Sequence, residues 1–281
     1  MNYEDFKREL VETLPDYLPA KYKSWTILSK EVTKVNGFRE AIHILSDGEC
    51  GASPNLYLDE LYAYYEQCES MERVCQRAAS LFVAGLDYAV HLAVSHISEI
   101  PQNRIIFVLI AQNGNQRLLE QVPHRLTLDL AVIYRVVLES STGELNSAIV
   151  TWDMAEEMGL TEKQLYDLAL VNTPKIMGME IRRAEGFPFM VTNKLCISGA
   201  STMLYPGLLA QLSEELDRDL IILPSSLQEF FVVPDVGQDI KEMNHFVKVA
   251  NETVVAPEEI LADHVYYYHR ATDQVCIPDW E

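Results

Sequence analysis

Apolar and polar positions change their period several times along the chain, and each change marks an element. In residues 2–18, Phe6, Leu10, Val11 and Leu14 recur near the 3.6-residue period of a helix, and Pro15 ends its regular part. Residues 24–35 and 38–45 read as extended runs on either side of Asn36-Gly37. A tight two-residue turn needs positive φ, which Asn and Gly adopt readily, so the pattern predicts an antiparallel hairpin. Leu56-Tyr57-Leu58 is a short extended piece before a helix starting near Asp59. A longer helix follows, capped by Ser70, with Val74, Cys75, Ala78 and Phe82 on one face, and it is expected to run past Gly85 to Ile97.

The second half of the pattern is richer in strands. Ile105 to Ile110 is a continuous apolar run bounded by asparagines, as in a strand buried on both faces. Leu126 to Leu138 predicts one long strand, turned by Ser141-Thr142-Gly143 into 147–151. A short helix over 153–158 precedes a second one capped at Thr161 and expected to end before Pro174. Strands are predicted over 176–183 and 189–198, separated by Glu185-Gly186 and Pro188. Gly199 to Asp235 then reads as a small-residue turn, a helix with Leu208, Leu209, Leu212 and Leu216 on one stripe, a buried strand at 220–223, a polar turn and a strand at 230–233. A helix over 240–249 and a last strand over 264–269 complete the series.

Hairpins dominate and no regular strand–helix–strand rhythm is present, so the fold class is α+β, mostly antiparallel sheets flanked by helices. The order of hairpin strand, extended tripeptide, short helix, hydroxyl cap and long helix occurs twice, over about residues 24–97 and 124–174, which suggests an internal duplication. On that reading residues 1–185 form one α+β region and 186–281 a C-terminal one, either separate or packed into one continuous domain.

Charge narrows the function classes. With 22 Lys and Arg against 42 Asp and Glu the formal net charge is −20, and 48% of residues are apolar. Nucleic-acid affinity comes largely from cations neutralising phosphates, so no nucleic-acid partner is expected, nor docking on anionic membrane surfaces. An acidic decoy for a basic partner fits the sign, although the acids are spread along the chain. The five cysteines form no CxxC pair, no metal-ligand spacing is present, and no P-loop or dinucleotide fingerprint occurs, so neither metal nor cofactor is expected. The opening residues lack the apolar core of a secretory signal and the most apolar window contains Asp87 and His91, which predicts a cytoplasmic protein.

Several segments together resemble a bacterial family of unknown function found in anaerobes. They are Asn55-Leu-Tyr-Leu-Asp59, Asp129-Leu-Ala-Val-Ile-Tyr134, Thr161-Glu-Lys-Gln-Leu-Tyr-Asp-Leu-Ala169, Leu204-Tyr-Pro-Gly-Leu-Leu209, Ile222-Leu-Pro-Ser-Ser226, and Ala256-Pro-Glu-Glu-Ile260 with Asp263-His-Val-Tyr266. The resemblance spans nearly the whole chain and implies no activity.

Four residues stand out as site candidates. Ser225 and Ser226 lie where a buried strand leaves the core, and Asp263-His264 opens the run DHVYYYHR. Alternation places His264, Tyr266 and Tyr268 on one face, and a serine–histidine pair would need this last strand beside the one at Ile222. Ser201, in Gly199-Ala-Ser-Thr-Met203, does not match a nucleophile elbow and reads as a helix cap or turn hydroxyl. Turn and capping needs account for nearly every polar residue singled out. The leading expectation is therefore a non-catalytic protein that binds a protein or small-molecule partner. A small hydrolase using Ser225 or Ser226 with His264 is the alternative.

Overall fold

A computed structural model describes residues 1–46, 54–94, 100–138, 146–183 and 188–279. The expected turn at Ser141-Thr142-Gly143, the helix end at Ile97 and the break at Glu185-Gly186 lie outside the described residues. The contacts divide the chain into two compact units, Met1–Ile100 and Pro101–Glu281. The boundary expected near 185 falls inside the second unit, because strands on either side of it pair with each other, Ile181 opposite Val191.

In the first unit, helix α1 (Tyr3–Thr13) starts at Asn2, whose side chain accepts from Asp5 N, and passes into a 3-10 turn at Leu14–Tyr17. Strands β1 (Thr26–Lys34) and β2 (Gly37–Leu45) form the expected hairpin, with Asn36 at φ 60°. The short β3 (Leu56–Tyr57) pairs with the other side of β2 and leads directly into α2 (Leu58–Cys68) and α3 (Met71–Val94). Phe6 and Leu10 of α1 pack with Ile42, Leu61, Val74 and Phe82 in one core. Gly85 of α3 is needed for close approach, since a Cβ there would lie 2.6 Å from the Pro54 ring.

The second unit holds two antiparallel sheets. Its first sheet has β4 (Ile105–Ala111), β5 (His124–Thr127), β6 (Leu130–Leu138) and β7 (Asn146–Ile149), and after β4 comes the short α4 (Gln116–Leu119). β4 pairs along one side of β6, while β5 and β7 pair along the other. Residues 126–138, expected as one strand, are thus two, separated by a tight turn at Leu128–Asp129 with Leu128 at φ 55°. Helices α5 (Trp152–Glu157) and α6 (Glu162–Met177) follow, each starting at a threonine cap, and Thr161 forms a capping box with Gln164. A long antiparallel partner, a central strand, a short strand on its far side, a short helix and a long helix occur in both units. The parallel begins at β4 rather than at residue 124, with α4 and β5 added.

The second sheet is ordered β13-β12-β10-β11-β9-β8, from β8 (Glu180–Arg182), β9 (Phe189–Thr192), β10 (Leu220–Pro224), β11 (Phe230–Pro234), β12 (Tyr266–His269) and β13 (Gln274–Cys276). Helix α7 (Leu208–Leu216) precedes β10. Helix α8 (Ile240–Thr253) covers one face through Val247, packed with Ile221, Leu223 and Val265.

One edge decides how these pieces fit. Among the described strands β4 pairs with β6 alone, yet Ile105 to Ile110 are all buried, so its outward backbone groups cannot turn to water. Side chains take that place. Thr173 Oγ1 accepts from Phe107 N at 3.0 Å, and Ser201 Oγ accepts from Leu109 N at 2.9 Å. Asn172 Nδ2 donates to the Ile105 carbonyl at 3.1 Å. Ser201, expected as a helix cap or turn hydroxyl, lies in the 3-10 turn Gly199–Leu204 and caps a strand edge. α6 likewise does not stop before Pro174 but continues to Met177, because Asn172 and Thr173 just before the proline are anchored on β4.

Removing either hydroxyl strands a buried N–H. Ser201→Ala and Thr173→Val are each expected to lower the unfolding free energy by about 1–3 kcal/mol in urea titrations at unchanged slope. A loss below about 0.5 kcal/mol in both would contradict the edge-capping role.

Candidate functional site

β12 does lie beside β10, with Ile222 opposite Tyr266, so the strand adjacency required by a serine–histidine pair is present. The side chains, however, are committed elsewhere. Ser225 and Ser226 form the β10–β11 turn, both backbone N–H groups donating to the Glu229 carbonyl. Ser226 Oγ accepts from Gln228 N at 3.0 Å, and Ser225 Oγ lies 3.4 Å from Glu229 Oε1. Asp263 accepts from Asn251 Nδ2 of α8 at 2.8 Å. His264 places Nε2 2.9 Å from Asp129 Oδ2 and Nδ1 3.0 Å from the Val265 carbonyl. Both neighbours are acceptors, so both ring nitrogens must donate, and the imidazolium is the favoured form. That form carries no basic lone pair for a serine.

Asp129 was not among the sequence candidates, because it lay hidden inside the strand expected over 126–138. It occupies the β5–β6 turn and also accepts from the Tyr266 hydroxyl at 2.8 Å. Burial raises the Asp129 carboxyl, but bonds from His264 and Tyr266 outweigh it and leave the pKa lowered. Burial likewise lowers the His264 imidazole, yet the bond to Asp129, the Val265 carbonyl and the charges of Asp129 and Asp263 raise it overall. The triad of Asp129, His264 and Tyr266 thus ties the first sheet's turn to the second sheet's strand.

A second constellation sits on the face of the first sheet opposite Phe107 and Tyr134. Residues paired across strands share a face, so Ile106 opposite Arg135, and Ser147 beside Arg135's other neighbour Ile149, line the same side. With Val108, Met177, Ile197 and Ser198 they line a cavity of about 360 Å3 that is open to solvent on one side. Arg135 is half-buried. Its Nε donates to Ser147 Oγ at 2.8 Å and its Nη2 to the Ser147 carbonyl at 2.9 Å. A guanidinium carries five N–H donors, so three remain, including the Nη1 end of the fork. No carboxylate pairs with it among the described residues, and burial alone pulls its pKa below the ordinary arginine value. Arg39, Arg125, Arg183 and Arg270, by contrast, each hold a carboxylate.

The cavity wall at 195–198 is shaped by Asn193, which is buried and whose Oδ1 accepts from Leu195 N and Ile197 N while Nδ2 donates to the Ile197 carbonyl. Ser198, at φ 49°, donates its backbone N–H to Gln228 Oε1 at 2.8 Å. Gly199 follows because a Cβ there would lie 2.0 Å from Thr192 Oγ1 and 2.2 Å from the Gln228 carbonyl. Arg135 was also missed from the sequence. Its signal was legible: it is the one cation in Leu130-Ala-Val-Ile-Tyr-Arg-Val-Val-Leu138, an otherwise apolar strand. Among the described residues no group of three or more metal-ligating side chains is assembled.

The chain matches DUF5688, a family of unknown function, over residues 3–187 and 186–270, and it belongs to that family. No curated protein and no solved structure matches it. No helix among the described residues is long and apolar enough to cross a membrane.

The Asp129–His264 pair carries a pH signature. The raised histidine contributes stability that is complete below its unfolded pKa of about 6.5 and is lost as pH rises through the folded value. The depressed aspartate contributes stability present above about 3.9 and lost as pH falls through its folded value. Asp129's side chain is 43% exposed, so solvent screens the pair, and its worth is about 1 kcal/mol or less. The stability difference between wild type and His264→Gln should be flat from about pH 4 to 6.5 and shrink toward alkaline pH. A difference that grows as pH rises would refute the imidazolium assignment.

Proposed function

We propose that this protein is a non-catalytic binding protein and that its second unit holds a small anionic ligand in the Arg135 cavity. The observation that carries the reading is the half-buried guanidinium with three unused donors and no carboxylate partner among the described residues. A buried cation without an anion is unfavourable, and an incoming carboxylate or phosphate oxygen would relieve that. The serine hydrolase alternative draws less support, since His264 faces two acceptors and the serine hydroxyls serve their own turn. An acidic decoy would account for the net charge of −20 but not for the cavity.

We place the protein in a reducing cytoplasm, where the thiols of Cys68, Cys75, Cys196 and Cys276 would stay free as they are here. The charge balance speaks against nucleic-acid partners. Binding to the native state stabilises it, by about 2.7 kcal/mol at a hundredfold excess over Kd. Scanning calorimetry in a zwitterionic buffer should therefore show a saturable rise in Tm with acetate or inorganic phosphate, absent in Arg135→Met. Equal shifts in wild type and Arg135→Met would remove Arg135 from the site, and no shift with either anion would remove the site.

A further inference from the structure

We infer that the ligand of the Arg135 cavity is a small monocarboxylate with an aliphatic body, an inference that rests on the anion-binding reading above. The charge balance of the site is the first reason. Among the described residues Arg135 is the one cation lining the cavity. A carboxylate would be neutralised by it, whereas a phosphate dianion would retain a buried negative charge. The chain's net charge of −20 makes that surplus more unfavourable still.

The second reason is the shape of the donor set. Nε and one N–H of Nη2 are held by Ser147, which fixes the guanidinium plane and leaves the Nη1–Nη2 end of the fork. Two parallel N–H groups match the two oxygens of one carboxylate. The third reason is the apolar part of the lining. Ile106, Val108, Met177 and Ile197 are aliphatic, which suits methyl and methylene groups and leaves sugar or peptide hydrogen bonds unmet. Size indicates how much of a ligand the cavity can cover. At about 30 Å3 per water in the liquid, 360 Å3 corresponds to roughly a dozen waters. The fitting ligand is therefore a short, branched or linear aliphatic acid rather than a nucleotide or a long fatty acid.

Isothermal titration of the full chain with 4-methylpentanoate, with the neutral 4-methylpentan-1-ol and with inorganic phosphate separates the outcomes. The acid should bind about tenfold or more tightly than the alcohol, the difference expected of charge-assisted bonds to Arg135, with no detectable phosphate binding. Phosphate binding without acid binding would overturn the carboxylate assignment while leaving the anion site standing. Equal affinity for acid and alcohol, or no binding of any probe, would overturn both. Arg135→Lys should weaken the acid, because it keeps the charge and loses the fork. Ile197 is 44% exposed, so Ile197→Asp should fold normally. By placing a like charge in the wall it should weaken the acid about fivefold or more. Unchanged affinity in Ile197→Asp would place the acid elsewhere.

Discussion

The second unit depends on a strand that is buried and yet sits at an edge. β4 is apolar throughout because it is buried on both faces, and among the described strands it has a neighbour on one side only. Such an edge in an apolar setting would strand N–H and C=O groups at about 1–3 kcal/mol apiece. Three short polar side chains resolve it, Thr173 and Asn172 from α6 and Ser201 from the turn after β9. They act as a surrogate strand. Because they come from elements nearly thirty residues apart in sequence, satisfying the edge also docks α6 and the 199–204 turn onto the first sheet.

The same constraint shapes the cavity. The outward N–H groups of β4 belong to Phe107 and Leu109, while the alternate residues Ile106 and Val108 face the opposite way from Phe107, toward Arg135. The turn that brings Ser201 to the edge also carries Ile197 and Ser198, so edge capping and cavity lining are two consequences of one docking event. Gly199 is the joint between them, and its lack of a side chain lets Thr192 bond the Gln228 carbonyl directly at 2.7 Å. The Ser225–Glu229 turn therefore has a structural duty. Its Gln228 holds Ser198 in place and its Leu227 carbonyl receives Ala200 N.

Local chemistry was legible in the sequence, and long-range satisfaction was not. The hairpin at Asn36, the threonine cap of α6 and the apolar stripe of α3 follow from residues within a few positions of one another. The class and the strand at β4 follow from period and run length. Ser201 is legible as a turn hydroxyl, but its partner is not, because Leu109 is 92 residues away. The β5–β6 turn was missed because Leu128 and Asp129 lack the usual glycine or asparagine signal, and pairing of the flanking strands imposes the turn instead. Arg135 stood in plain view, but a lone cation in a strand more often meets a carboxylate across the sheet. Only the fold reveals that its cross-strand neighbours are Ile106 and Ile149.

Arg135 lines the cavity with donors left over beside Ile106 and Val108, and nitrogen NMR of the arginine side chains reads that arrangement. On titration with a short aliphatic carboxylate, the account predicts a saturable shift of the Arg135 guanidinium resonance, accompanied by shifts of the Ile106, Val108 and Met177 methyl groups and little change at Arg39 or Arg183. Shifts spread evenly over the exposed arginines, with Arg135 and those methyl groups unmoved, would contradict it.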